Sequence, residues 1–232
     1  MIDTTNLNEL QREAVLHKDG PCLVIAGAGS GKTKVLTTRV ANLIMEGVPS
    51  YQILAITFTN KAAKEMKERI LNMVSELDSF IGTFHSFGMR IIRENVELLG
   101  MQRNFTILDT EDVTSLIRKI LKDKGYDSKE VSPYFVRSKI SFIKNEMLSN
   151  AEVEKYFIDD LEKIAYEVYL EYNMRLKKNN SVDFDDLLRL PVELFLHHPE
   201  VLEMYQNRYR YILIDEYQDT NEVQYKLVKL LA

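Results

Sequence analysis

The chain has no tryptophan, one cysteine, five prolines and nine glycines among its 232 residues. A lone thiol, Cys22 in PCLVIAG, can staple nothing, so no disulfide framework holds this fold; Cys22 reads as a buried strand residue of a cytoplasmic protein. No internal repeat or low-complexity linker is present, which excludes a repeat array or modules joined by flexible tethers. No apolar run approaches a membrane span, and the start, MIDTTNLNEL, lacks a charged-then-apolar signal segment. Positive charge is also short: 30 Lys+Arg against 35 Asp+Glu leave a net charge of −5. That excludes a global basic field, so any nucleic acid has to be held in a local groove. Thr110–Asn180 balances 13 Lys+Arg against 13 Asp+Glu, and the whole deficit lies in the remainder.

What is present is ordinary globular composition, 45% hydrophobic and 28% charged, long enough for one large domain or a domain carrying an insertion. CLVIAG, ILAITFT and YILIDE are short apolar runs rich in β-branched residues, each followed by polar residues and a helical pattern. FIGTFH and FTIL are weaker strand signals. LNELQREAVLHK and KTKVLTTRVANLIMEG read as helices, the second stopped by Gly47 and Pro49. Near-continuous apolar strands alternating with helices predict a parallel sheet covered on both faces. From about Thr110 to Ser181 the strand signal vanishes and helices alone are predicted, including a long one through YFIDDLEKIAYEVYLEYNMRLKK. The expected organisation is an α/β domain at 1–109 and 182–232, interrupted by an all-helical subdomain at 110–181.

Two motifs carry chemistry. AGAGSGKT, comprising Ala26, Gly27, Ala28, Gly29, Ser30, Gly31, Lys32 and Thr33, follows one apolar strand signal and opens a helix. Its spacing is that of a phosphate-binding loop, with Ala26 in place of the first glycine. Glycines let backbone N–H groups curve around an anion at a helix amino terminus, Lys32 reaches the outer phosphates, and the Thr33 hydroxyl suits Mg²⁺. ILIDEYQDTN supplies the complement: Asp215 at a strand end to hold the metal, and Glu216 to deprotonate an attacking water. The bland alternative is a strand end followed by a capped helix. VDFDD, with Asp183, Asp185 and Asp186, suggests a metal cluster, but a helix start before LLRL is the better reading. Lys61, Lys64 and Lys67 interleave with Glu65, Glu68 and Arg69, so that helix face reads as solvated and self-paired.

LNELQREAV, AGAGSGKT, ILAITFTNKAAKEMKERI, IGTFHSF, VDFDDL and ILIDEYQDTN occur in the order found in superfamily 1 DNA helicases of the UvrD/Rep/PcrA group. The chain resembles their amino-terminal, ATP-binding, RecA-like domain with its helical insertion, and the resemblance spans essentially all of it. It implies ATP and Mg²⁺ as cofactors, and a parent that translocates on single-stranded DNA and unwinds duplex at single/double-strand junctions. It implies that Gln11 reads the adenine edge, that Arg39 packs against the base, and that Phe58, Asn60, Thr83 and His85 touch single-stranded DNA. Physical chemistry is compatible with these roles. A carboxamide offers both donor and acceptor, and an exposed Phe58 gives a base a platform worth about 1–3 kcal/mol. The residues alone leave Gln11 as a solvated helix residue, Phe58 as core and His85 as structural.

The family's later motifs, an aromatic stacking segment and arginines from a second RecA-like domain, are absent, in agreement with the missing tryptophan. The expectation is therefore a fragment that binds ATP and turns it over slowly. The rival readings are the helicase part of a recombination helicase–nuclease, an ATP-binding interaction module without DNA-coupled turnover, and a small-molecule P-loop kinase. Oligomeric state is not encoded in any of these motifs.

Overall fold

A computed structural model describes residues 2–27, 29–127 and 129–232. It divides into two compact units, one of residues up to Phe87 with Leu202–Asp219 and the last two residues, the other of Gly88–Val201 with Thr220–Leu230. The helical unit is thus wider than the strand-free segment that the sequence marks out.

The first unit is built on three parallel strands, β1 (Ile53–Thr57), β2 (Phe80–Thr83) and β5 (Tyr211–Ile214), in the order β2-β1-β5. Ala55 stands level with Ile81 on one side and Leu213 on the other. As the central strand, β1 is buried along its whole length, which is why ILAIT carries no polar residue before Thr57. Ile53 and Ala55 face a core made with Val40 and Leu43 of α2 (Lys32–Met45) and Met66 and Ile70 of α3 (Asn60–Leu71). Strand alternation turns Leu54 and Ile56 to the opposite face, where they are equally buried. The sheet is therefore covered on both sides, and the parallel α/β class read from the sequence holds. Helix α1 (Glu9–Leu16) starts on a reciprocal cap: Asn8 accepts from the Gln11 amide, and the Gln11 side chain accepts from the Asn8 amide.

One expected strand does not form. Residues 21–27 lie in no ladder, Leu23 and Ile25 are 71% and 87% exposed, and Cys22 is exposed where burial was expected. Apolar, β-branched composition gives a segment the means to bury itself in a sheet. The strand exists only where a ladder partner takes up its backbone groups, and among the described residues none does.

The second unit is mainly helical. Helices α5 (Thr110–Asp123), α6 (Pro133–Asn145) and α8 (Asp160–Lys178) share a core of Ile117, Ile120, Val136, Ala165, Val168 and Tyr172. The long helix expected from Tyr156 starts later, at Asp160, because Asp159 caps it by accepting from the Glu162 amide. Two short parallel strands, β3 (Thr106–Ile107) and β4 (Ser181–Val182), pair beside these helices. Helix α9 (Asp186–His197) contains Pro191, which has no N–H to offer the carbonyl of Leu187 one turn earlier. Gly88 lies against that carbonyl so closely that a Cβ would stand 1.8 Å from the oxygen. Among the described residues no helix is long and apolar enough to cross a membrane.

The VDFDD run opens α9 as a helix start, with the Asp186 amide donating to Asp183 Oδ1 at 2.9 Å. It also gathers buried charge. Lys144, fully buried, sets its ammonium 2.7 Å from Asp183 Oδ2 and 2.9 Å from Asp186 Oδ2. Tyr172 donates its hydroxyl to Asp183 at 2.8 Å, and Arg189 reaches Asp186 Oδ1 at 3.0 Å. A lysine ammonium thus stands among the carboxylates where a metal had been considered. Burial alone would raise Asp186, but Lys144 and Arg189 outweigh it and hold the carboxyl at about 2. Burial, and next the charge of Asp186, raise Asp183 against the pull of Lys144.

Candidate nucleotide and nucleic-acid site

Because the strands are parallel, the carboxyl ends of β1, β2 and β5 open on one edge, and the motif residues collect there. The phosphate-loop segment ends in two left-handed glycines, Gly29 at φ 72° and Gly31 at φ 87°, the latter serving as N-cap of α2. A residue with a Cβ is strained in that backbone region, and only glycine turns the loop into the helix freely. Ser30 closes the turn by donating its hydroxyl to the Gly27 carbonyl at 2.6 Å. Lys32, first residue of α2, folds back to the carbonyls of Ala26 at 3.1 Å and Gly27 at 3.3 Å. Ala28, assigned to the same loop by sequence, lies outside the described residues.

Among the described residues, the acidic pair meets the loop at Thr33. Thr33 donates its hydroxyl to Asp215 Oδ2 at 3.2 Å, joining residues 182 positions apart. Asp215 continues β5, its amide donating to the Ile56 carbonyl at 2.9 Å, and only 6% of it is exposed. Glu216 takes a left-handed backbone, φ 51°, rare for a residue with a side chain, and its carboxylate accepts from the Gln218 amide group. A hydroxyl and a carboxylate oxygen side by side at a sheet edge form an oxygen donor pair suited to a hard cation that keeps most of its water. Among the described residues no group of three or more His, Cys, Asp and Glu side chains is placed to cage a metal, so this pair is an open site.

Gln11 and Arg39 brace the loop and α1. The Gln11 amide nitrogen donates to the Ser30 carbonyl at 2.9 Å, tying α1 to the phosphate loop. Arg39, half-buried, donates to the carbonyls of Ala14, at 3.0 Å, and His17, and so caps the last turn of α1. Burial lowers its pKa from the ordinary guanidinium value.

At the end of β1, Phe58 is half-buried with its ring 5.5 Å from that of Phe84, at 59°. Asn60 is exposed as the first residue of α3, whose cap is Thr59 accepting from the Ala62 amide. Thr83 is buried, its hydroxyl engaged with Ser86 at 3.2 Å, while His85 is half-buried in α4 (Phe84–Glu94).

Two clefts of about 580 Å³ each occupy this edge, one over the phosphate loop and one running toward Thr57, Phe58 and Asp219. Sequence reasoning assigned no role here to Gln218, Glu65 or Arg69, yet all three line them. A signal existed: Ala62, Glu65 and Arg69 are spaced three and four apart, the period of one helix face.

The sequence profile of the UvrD/REP helicase N-terminal domain matches residues 7–232. The chain is 48% identical over 231 residues to the ATP-dependent DNA helicase PcrA of Bacillus subtilis, covering 98% of this chain and 31% of that protein. It is 48% identical over 230 residues to PcrA of Staphylococcus aureus and of Staphylococcus epidermidis, covering 98% of this chain and 32% of each. It thus spans about a third of the length of these curated relatives. A phosphate loop joined across a parallel sheet to a strand-end Asp-Glu pair, together with a match over nearly the whole chain, shows that it belongs to the UvrD/REP helicases, as their N-terminal domain.

Proposed function

We propose that this chain is the ATP-binding part of an ATP-dependent DNA helicase, a cytoplasmic protein that moves along single-stranded DNA and unwinds duplex at single/double-strand junctions. One observation carries the reading: the hydrogen bond from Thr33 to Asp215, which brings the phosphate-loop hydroxyl and the strand-end carboxylate together. Mg²⁺, held by those two oxygens, would supply charge neutralisation across the outer phosphates. Lys32 exchanges the carbonyls of Ala26 and Gly27 for phosphate oxygens, a charge-assisted replacement for two ordinary hydrogen bonds. Glu216 accepts the proton of the attacking water, its carboxylate kept at the cleft by the left-handed backbone and by Gln218. Gln11 and Arg39 serve the base end of the nucleotide. Their contacts with the loop and with α1 make the base site and the phosphate site parts of one rigid support.

Phe58 offers the stacking surface for DNA and Asn60 an exposed carboxamide beside it. Thr83, its hydroxyl engaged with Ser86, contributes by fixing the first turn of α4, on which His85 stands.

A fluorescent ATP analogue with Mg²⁺, titrated into the 232-residue chain and into Lys32→Ala, tests the reading. The variant is expected to bind about 100-fold more weakly, the scale of a lost charge-assisted phosphate contact of about 3 kcal/mol. Equal affinity with matched circular dichroism would remove the phosphate-loop assignment. Glu216→Gln is expected to bind normally and release no phosphate. The unmodified chain should hydrolyse slowly, with little stimulation by an oligonucleotide, because the family's remaining cationic groups lie on another domain.

A further inference from the structure

We infer that Arg69 contacts the terminal phosphate and lets this site distinguish a nucleoside triphosphate from a diphosphate; the inference rests on the ATP-binding reading above. The two clefts share three lining residues, Thr33, Glu216 and Arg69. Two of these already define the reacting end, the first as a metal-binding hydroxyl and the second as the base for water. The third stands at the same junction, lining both the cleft over the phosphate loop and the one beyond it.

Charge makes the case. The second cleft is lined by four carboxylates, Glu65, Asp215, Glu216 and Asp219, and among its described lining residues Arg69 is the one cation. A terminal phosphate entering that junction adds negative charge to a region already rich in it. Lys32 and Lys34 line the cleft over the loop from α2, and Arg69, on α3, is the cation that lines both clefts and offsets the repulsion in the second. A guanidinium also presents a planar fork of donors that matches two phosphate oxygens at once.

Helix α3 holds Arg69 in place without using up its charge. Met66 and Ile70 are fully buried in the core under the sheet, which fixes the helix, while Ala62, Glu65 and Arg69 form the face turned to the cleft. The Arg69 guanidinium pairs only loosely with Glu65, at 4.0 Å, with the two side chains 53% and 49% exposed. Such a pair contributes little in water, so exchanging Glu65 for a phosphate costs little. The plain alternative is that Arg69 is a solvated cation favouring the carboxyl end of its helix.

Competitive binding of Mg·ATP and Mg·ADP against a fluorescent nucleotide separates the two, using the full chain, Arg69→Ala, Arg69→Lys and Lys32→Ala. Arg69→Ala should weaken ATP about tenfold and ADP less than about twofold, the size of one charge-assisted contact present only with the triphosphate. Arg69→Lys should restore part of the ATP preference, since it keeps the charge and loses the fork. Equal losses for ATP and ADP, or no loss, would overturn the assignment. Failure of the unmodified chain to bind ATP, or indifference to Lys32→Ala, would instead bring down the nucleotide site itself and Arg69 with it. Arg69 is exposed, so matched circular dichroism is expected for its variants.

Discussion

Two acidic runs in this protein look alike as text and differ as chemistry. VDFDD ends a short strand and starts α9; IDEYQD ends β5 and starts a short helical turn. In the first, Asp183 and Asp186 are buried with Lys144 within 2.9 Å of both. In the second, Asp215 is also buried, but its partners are a hydroxyl and a backbone amide, neither of which carries charge. A buried carboxylate with its own ammonium is already neutralised and serves the fold. One left with neutral donors at a cleft has remaining capacity for a cation. What separates structure from function here is the partner and not the acid.

The sharpest way to break that contrast is to remove the cation. Lys144→Ala leaves two adjacent carboxylates buried without their ammonium and should destabilise the helical unit by about 3–5 kcal/mol in urea unfolding. A loss under about 1 kcal/mol would mean the cluster is hydrated and the contrast is empty. The same network sets an acid limit. Asp186 titrates at about 2 in the folded chain, against about 3.9 unfolded. A depressed folded value means the unfolded chain binds more protons between those limits. The contribution of Asp186 is therefore complete above about pH 4 and fades as the pH falls toward 2. In Lys144→Ala the folded value moves up toward or past the unfolded one, so this acid-dependent loss should shrink or reverse, which urea unfolding compared at pH 7 and pH 3 would detect.

Asp215→Asn probes the other side. It removes a carboxylate that has no ammonium partner among the described residues and keeps an oxygen for Thr33, so stability should change by less than about 1 kcal/mol. Nucleotide binding should lose its dependence on Mg²⁺. A large unfolding effect with metal dependence intact would make Asp215 a structural residue like Asp183. The smallest effect is expected at Gln11→Ala. Loss of the reciprocal cap and of the bond to Ser30 should cost about 1 kcal/mol, with the preference for ATP over GTP narrowing several-fold. An unchanged preference in competition binding would confine Gln11 to bracing the loop.

Much of this was legible in the sequence because it rests on local rules. The phosphate loop needs glycines at left-handed positions before a helix, and Gly29 and Gly31 take them. The strands ILAIT and YILI, and the helix start at VDFDD, also follow from pattern alone. What escaped depends on partners distant in the chain. CLVIA has strand composition and no ladder. Lys144 is 39 residues from Asp183, and nothing in KNEM marks a lysine that will be fully buried. Arg69 was counted among solvated, self-paired charges, and its pair with Glu65 does exist, but a contact list by sequence spacing cannot show which cleft that face borders.

Glu216 carries a further consequence. Its backbone sits at φ 51°, a region where asparagine or glycine is comfortable and glutamate costs about 1 kcal/mol or more. Selection for heat resistance alone, applied to a library at this position, would therefore favour replacing the glutamate. The survivors would be sturdier, would still hold nucleotide, and would be inert. Durability and turnover pull in opposite directions at this one residue, and a screen that rewards only the first would steadily discard the second.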